Sequence, residues 1–278
     1  TNGAAVGGTA FIRIASQANP NLIPEEADNY NVGLIWSPTD SFQSKLDYWV
    51  VDYTNVITKE AAQGVVQRTP NDSSVIRNSG GTLTGVTTPY FNASYVDTDG
   101  IDLELSFNTD LASGILALGF NATHYLSYEI PVKNANDVYV RTDVVGLFNH
   151  DNFARSLPET KAVISANFVS GPHAVNGYIR HVTDYRTTRA LSATALAVNA
   201  AGGHAQGLYS LDIDSFTTVD LQYSYSMLSE DLTWTAGLKN AFDEDVPLVF
   251  DDTNFSYDPK HHDPRGRMFT LGVKYALN

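Results

Sequence analysis

His261-His262-Asp263 is the densest run of potential ligand atoms in the chain. Imidazole nitrogens and carboxylates hold zinc, but adjacent side chains of an extended segment point to opposite sides, so the doublet reads as part of a structured loop rather than a metal site. Asp243, Glu244, Asp245, Asp251, Asp252 and Asp258 crowd the same stretch. They have the oxygen ligands a hard cation such as calcium takes, yet the run reads more simply as a solvated acidic face. A second polar and aromatic stretch is Asn149-His-Asp-Asn-Phe153. His150, Asp151, Phe153 and Tyr257 are the candidate substrate-binding residues, because rings beside hydrogen-bonding groups suit a sugar. Arg141, Arg155, Arg180, Arg186 and Arg189 are available for anions.

Hydrolytic motifs are missing: there is no Gly-x-Ser-x-Gly, no His-Glu-x-x-His and no phosphate-binding glycine loop. Gly80-Gly81 and Gly202-Gly203 read as loop breakers. Carboxylate pairs such as Asp47 with Glu104 have no catalytic spacing, and cysteine is absent, which removes disulfides and thiolate chemistry. No enzyme activity, cofactor or resident metal is expected.

The elements that must position these groups are strands. Apolar side chains fall at Tyr30, Val32, Leu34 and Trp36, at Leu46, Tyr48 and Val50, and at Ile101, Leu103, Leu105 and Phe107, each set alternating with polar residues. The same period of two recurs at Leu116 to Phe120, Ala162 to Phe168, Val219 to Tyr225, Leu232 to Leu238 and Phe269 to Leu277, with a weaker strand from Ala174 to Asp184. The pattern predicts about nine strands and no helix. Asp47, Asp102, Glu104, Asp220, Gln222 and Lys239 occupy the opposite phase, where a dry core would not tolerate them.

Short and long connections alternate strictly. Tight polar turns at 37–41, 108–113, 170–173 and 228–231 are separated by long stretches at about 58–98, 129–158, 187–215 and 241–264. A soluble sandwich rarely carries several loops of that length, whereas an outer-membrane barrel has short turns on one side and long loops on the other. Trp36, Phe42, Phe107, Phe168, Tyr225, Trp234 and Tyr275 all lie in the apolar phase close to the short-turn level, as a membrane-interface girdle requires. Tyr53, Tyr125, Tyr128 and Tyr185 are candidates for the opposite girdle. The competing reading packs these aromatics inside a soluble sandwich.

Composition narrows the class further. Against 31 Asp+Glu there are 17 Lys+Arg, a net charge of −14, with no basic stretch that would hold nucleic acid. Aromatics at 11% and hydrophobic residues at 43% exclude a disordered acidic tail. No window approaches the ~18 apolar residues of a membrane helix. A polar lumen accounts for the mean hydropathy of −0.18 in a chain expected in a membrane.

Three segments carry a family resemblance. Asn19-Pro-Asn-Leu-Ile-Pro-Glu25 with Ala27-Asp-Asn-Tyr-Asn-Val-Gly33 and Trp36-Ser-Pro-Thr-Asp40 resembles the entry to a late hairpin of TonB-dependent outer-membrane receptors. Leu238-Lys-Asn-Ala-Phe-Asp-Glu-Asp245 resembles their penultimate strand and turn, and Tyr257-Asp-Pro-Lys-His-His-Asp-Pro-Arg-Gly-Arg-Met268 their approach to the last strand. The resemblance implies an all-β, antiparallel transmembrane barrel of about 22 strands closed by a plug, of which residues 1–278 supply about the last nine. It implies a receptor in the cell outer membrane of a Gram-negative bacterium, binding a siderophore, cobalamin or oligosaccharide and importing it with energy from the TonB complex. The expected partners are outer-membrane lipid, the ligand, and the remaining barrel and plug of the same receptor, through which TonB acts. No plug or TonB-contacting segment is recognised in these residues. Receptors of this family usually end on an aromatic residue, whereas this chain ends at Leu277-Asn278. The alternatives are a passive porin or structural barrel subunit, expected to conduct steadily, and a soluble secreted β-rich binding protein, expected to stay monomeric without detergent.

Overall fold

The computed structural model describes residues 12–59, 62–134, 138–148, 154–188, 191, 193–203, 208–227, 231–249 and 257–276. Nine long strands form one curved antiparallel wall: β2 (Glu26–Thr39), β3 (Phe42–Lys59), β5 (Leu83–Leu111), β6 (Gly114–Lys133), β10 (Thr160–Ser170), β11 (His173–Val182), β14 (Phe216–Met227), β15 (Leu232–Lys239) and β16 (Met268–Tyr275). They pair strictly in chain order, so each strand lies beside its predecessor. The wall is open: β2 and β16 each have one edge unpaired along this path.

Short elements complete the sheet. β1 (Arg13–Gln17) pairs in parallel with β5, β4 (Val75–Arg77) pairs with β5, and β7 (Tyr139–Asp143) pairs with β6, giving twelve strands in all. A separate four-stranded sheet is built from β8 (Leu147–Phe148), β9 (Ser156–Leu157), β12 (Tyr185–Thr187) and β13 (Asp212–Ile213).

Two expectations change. The chain does contain helices, α1 (Ala62–Arg68) and α2 (Ala193–Ala200), each of about two turns. Such short helices give little periodic signal and depend on the packing around them. The first long connection is also shorter than expected, because β3 and β5 continue pairing up to Lys59 and Tyr90, well inside the stretch 58–98. Thr, Val and Tyr residues there favour the pleated backbone even where apolar alternation stops.

Burial is inverted relative to a soluble domain. The three buried apolar clusters are Val65, Val75 and Val86; Val96, Ile130 and Val144; and Tyr185, Ile213 and Val249. All three lie at the long-loop end, away from the tight turns. In the wall itself Val32, Leu34 and Leu271 are 74%, 64% and 89% exposed. Among the described residues no helix is long and apolar enough to cross a membrane.

Candidate functional site

Register shows that the apolar phases of all nine strands share one face. One row runs Leu34, Leu46, Leu103, Ala122, Ala162 and His181, and a second, nearer the tight turns, runs Phe107, Leu118, Ala166, Gly177, Leu221, Leu238 and Phe269. Phe42 stands opposite Phe107, Tyr225 opposite Trp234, Phe168 opposite Leu116, and Tyr275 opposite Leu232. Trp36 packs edge-on against Phe42 with ring centroids 5.9 Å apart. These seven residues occupy the short-turn end of the apolar face.

The opposite ring of tyrosines does not exist as expected. Tyr53, Tyr125 and Tyr128 stand opposite Val96, Gly100 and Thr98, positions of the polar phase, and Tyr185 is buried. Tyr53 and Tyr125 fall in the polar phase by simple alternation, out of step with Tyr48 and Phe120, and only Tyr128 is shifted, by a bulge on β6 opposite the Asp99–Gly100 step. Tyr30 and Tyr48 lie on the apolar face towards its long-loop end. Just beyond them that face turns charged: Tyr48 donates to Asp99 at 3.1 Å, and Arg141 bridges Asp97 and Glu129 while stacking on Tyr95.

The other face is hydrophilic. Lys45 lies 3.5 Å from Asp47, Asp47 stands opposite Asp102, and Lys45 opposite Glu104. Thr123 donates to Asp102 at 2.6 Å, and these groups border an open recess of about 430 Å³. Asp47 and Glu104 thus share one face, with Lys45 beside Asp47 and opposite Glu104, on a polar wall. Farther along, Ser224 with Thr235 and Ser226 with Thr233 continue the polar surface.

At the long-loop end the segment 257–266 folds over this wall. Asp258 is 1% exposed and accepts hydrogen bonds from Ser156 Oγ, from Tyr185 Oη at 2.8 Å and from the Lys260 amide at 3.0 Å. Burial by itself would raise the Asp258 carboxyl; the three donors outweigh it and hold the group below its ordinary value. The same burial, with the Asp258 charge, pushes the Tyr185 phenol well up. Asp258 is therefore a buried tether and not part of a solvated acidic face.

His262 is 4% exposed and lies 5.1 Å from the Phe216 ring centroid and 6.0 Å from that of Tyr185. Among the described residues neither ring nitrogen has a hydrogen-bond partner, and burial pushes its pKa down to about 4. His261 instead aligns Nε2 with the Ser156 carbonyl at 3.2 Å. The two rings serve different contacts, and among the described residues no group of three metal-ligating side chains converges.

Of the candidate substrate residues, Tyr257 is half-buried at the start of this strap, while His150, Asp151 and Phe153 lie outside the described residues. The arginines are committed: Arg141 to Asp97 and Glu129, Arg180 to Asp220, and Arg186 to Asp212 at 3.7 Å. Arg155 also has partners, and Arg189 lies outside the described residues. The strap's anchors were invisible in the sequence because Ser156 and Tyr185 sit 102 and 73 residues from Asp258.

Comparison with curated proteins returns no match. Solved structures share the fold. The FrpB iron transporter from Neisseria meningitidis, F5-1 variant, superposes with a TM-score of 0.59 at 14% identity, covering 94% of this chain and 33% of that one. The siderophore receptor PirA from Acinetobacter baumannii gives 0.58 at 16% identity, covering 94% and 33%. A mutant of the ferric enterobactin receptor PfeA from Pseudomonas aeruginosa, in complex with enterobactin, gives 0.55 at 18%, covering 93% and 32%. The chain spans about a third of the length of each. The family model described as TonB dependent receptor-like, beta-barrel, matches residues 2–241, and the chain belongs to that family.

Proposed function

We propose that this chain is the C-terminal portion of the barrel of a Gram-negative outer-membrane receptor that binds a scarce extracellular nutrient and imports it with energy supplied through TonB. The carrying observation is the two-faced wall: nine strands with one continuous apolar face and one polar face, joined by tight turns at one end and folded lobes at the other. Lipid is the occupant that suits the apolar face. From Phe42 to Asp52, where that face becomes charged, the strand climbs roughly 25 Å at ~3.3 Å per residue and ~40° tilt, the height of an outer-membrane apolar band. On this reading Trp36, Phe42, Phe107, Phe168, Tyr225, Trp234 and Tyr275 mark the inner interface, and the polar face lines the lumen against the plug.

Of siderophores, cobalamin and oligosaccharides, a ferric siderophore is the first ligand to test, since PirA is by name a siderophore receptor and PfeA a ferric enterobactin receptor. The plug and the TonB contact belong, on this reading, to other parts of the same receptor. The test is uptake of radiolabelled ferric siderophore by cells expressing the complete receptor, with and without TonB. Uptake that needs both supports the reading; steady ion conductance of the receptor in a planar bilayer, with no TonB-dependent uptake, overturns it. A native subunit of about 30 kDa with no barrel-completing partner overturns its placement as a portion of a larger barrel.

A further inference from the structure

Aromatic side chains also stand on the polar face, towards its long-loop end. Trp49 on β3 and Tyr125 on β6 flank Gly100 of β5, and their rings meet edge to face with centroids 5.6 Å apart. The Trp49 ring lies over Gly100, where a Cβ would overlap it, so the bare backbone makes room for the indole. Both rings stay partly exposed, and Tyr53, farther along β3, is 38% exposed. Among the described residues the Trp49 indole N–H and the Tyr53 and Tyr125 hydroxyls make no hydrogen bond. Register sets polar groups around Trp49: Asn31 opposite it on β2, Asp47 two residues before it on β3, and Asp102 two residues beyond Gly100 on β5. At ~4.8 Å between strands and ~6.6 Å per two residues, all three are neighbours of a ring lying on Trp49. Asp47 is paired with Lys45 at 3.5 Å, and Asp102 accepts from Thr123 at 2.6 Å. A carboxylate has about four acceptor positions, so both keep room for another donor, and the exposed Asn31 amide both donates and accepts. The recess below the indole holds Asp47, Asp102 and Glu104 against Lys45 and Lys161, a surplus of negative charge that repels an anion.

We propose that this part of the lumen wall is a saccharide subsite: a neutral sugar ring lays its C–H face on Trp49, donates hydroxyls to Asp47 and Asp102, and bonds the Asn31 amide, while Tyr125 holds the indole from the side. A sugar has an apolar face and a rim of hydroxyls at once, and an exposed indole beside carboxylates and an amide matches both. Lys45 offsets part of the Asp47 charge, so the wall suits hydroxyl donors better than a second cation. The inference rests on the receptor reading above and names the ligand class that its lumen wall suits.

The complete receptor, fluorescently labelled and held in the sugar-free detergent lauryldimethylamine oxide, is applied in a concentration series to a printed array of neutral oligosaccharides and their sialylated and uronic-acid counterparts. Receptors carrying Trp49→Leu, Trp49→Phe or, as a control on the same face nearer the tight turns, Tyr178→Leu are applied alike. Heat-modifiable gel mobility checks that each barrel is folded. The unaltered receptor is expected to bind at least one neutral oligosaccharide, and the acidic counterpart at least tenfold more weakly. Trp49→Leu is expected to weaken that binding at least tenfold, Trp49→Phe, which keeps a ring, clearly less, and Tyr178→Leu not at all. The proposal is overturned if no neutral oligosaccharide binds, if the acidic counterparts bind as well, if Trp49→Leu binds undiminished, or if Trp49→Phe or Tyr178→Leu loses as much as Trp49→Leu. TonB-dependent uptake of ferric siderophore by a receptor that binds no array sugar overturns the subsite and leaves the receptor reading standing. Trp49-dependent sugar binding with no TonB-dependent uptake does the reverse.

Discussion

The Tyr185 hydroxyl donates to the Asp258 carboxylate at 2.8 Å across 73 residues of chain, joining the second, four-stranded sheet to the segment that enters the last strand. Ser156 donates to the same carboxylate from the other side of that sheet. One buried charge thus ties three separate stretches of chain together over the wall.

Asp258→Ala leaves two buried hydroxyls without their acceptor, at a cost of about 2–4 kcal/mol to strap closure. The expected result is faster amide exchange in 257–266 and 154–158 with the wall's exchange unchanged. Asp258→Asn keeps the shape and one acceptor oxygen, so it is expected to fall between. Hydrogen exchange read by mass spectrometry distinguishes the three proteins.

The strap is also expected to loosen in mild acid. The fold holds His262 neutral with its pKa near 4, against an ordinary 6.5, so the opened strap binds a proton more readily than the closed one. Closure therefore weakens as pH falls from about 6.5 towards 4, by up to ~3 kcal/mol. His261, lowered first by burial and then by the Lys161 charge, works in the same direction. Asp258 contributes in a separate window, losing its stabilising effect only below its ordinary 3.8. Strap exchange measured from pH 7.5 to 4 should show this slope, and His262→Phe should flatten most of it.

Gly100 is required by close packing. A Cβ there meets the His124 carbonyl at 2.7 Å and the Trp49 ring, where β6 bulges against β5. Gly100→Val is expected to cost about 1–3 kcal/mol of wall stability through overpacking, seen as a lower urea midpoint for refolding into detergent. Gly272, with open space around its Cβ position, is the control that tolerates alanine.

The two faces are expected to respond oppositely to charge. Leu103→Arg, in the middle of the apolar face, should cost ~2–4 kcal/mol in bilayer folding, whereas Asn121→Lys on the polar face should cost little. Trp36→Ala, at the short-turn end, is expected to cost about 1–3 kcal/mol through lost burial in the interface. Refolding into lipid vesicles at graded urea measures all three, and equal effects of Leu103→Arg and Asn121→Lys would refute the assignment of faces.

The alternation of Tyr30, Val32, Leu34 and Trp36, and its repeats down the chain, determined the strands, their two faces and the alternation of tight turns with long connections. It did so because a pleated strand sends successive side chains to opposite faces, so the information is local. That alternation also put Tyr53 and Tyr125 in the polar phase, whereas the bulge on β6 that sends Tyr128 there was decided only by pairing between strands. Likewise α1, α2 and the buried Asp258, Ser156 and Tyr185 had no local signature. Their stability comes from contacts between segments far apart in sequence, and the same contacts decide which charges are buried and paired.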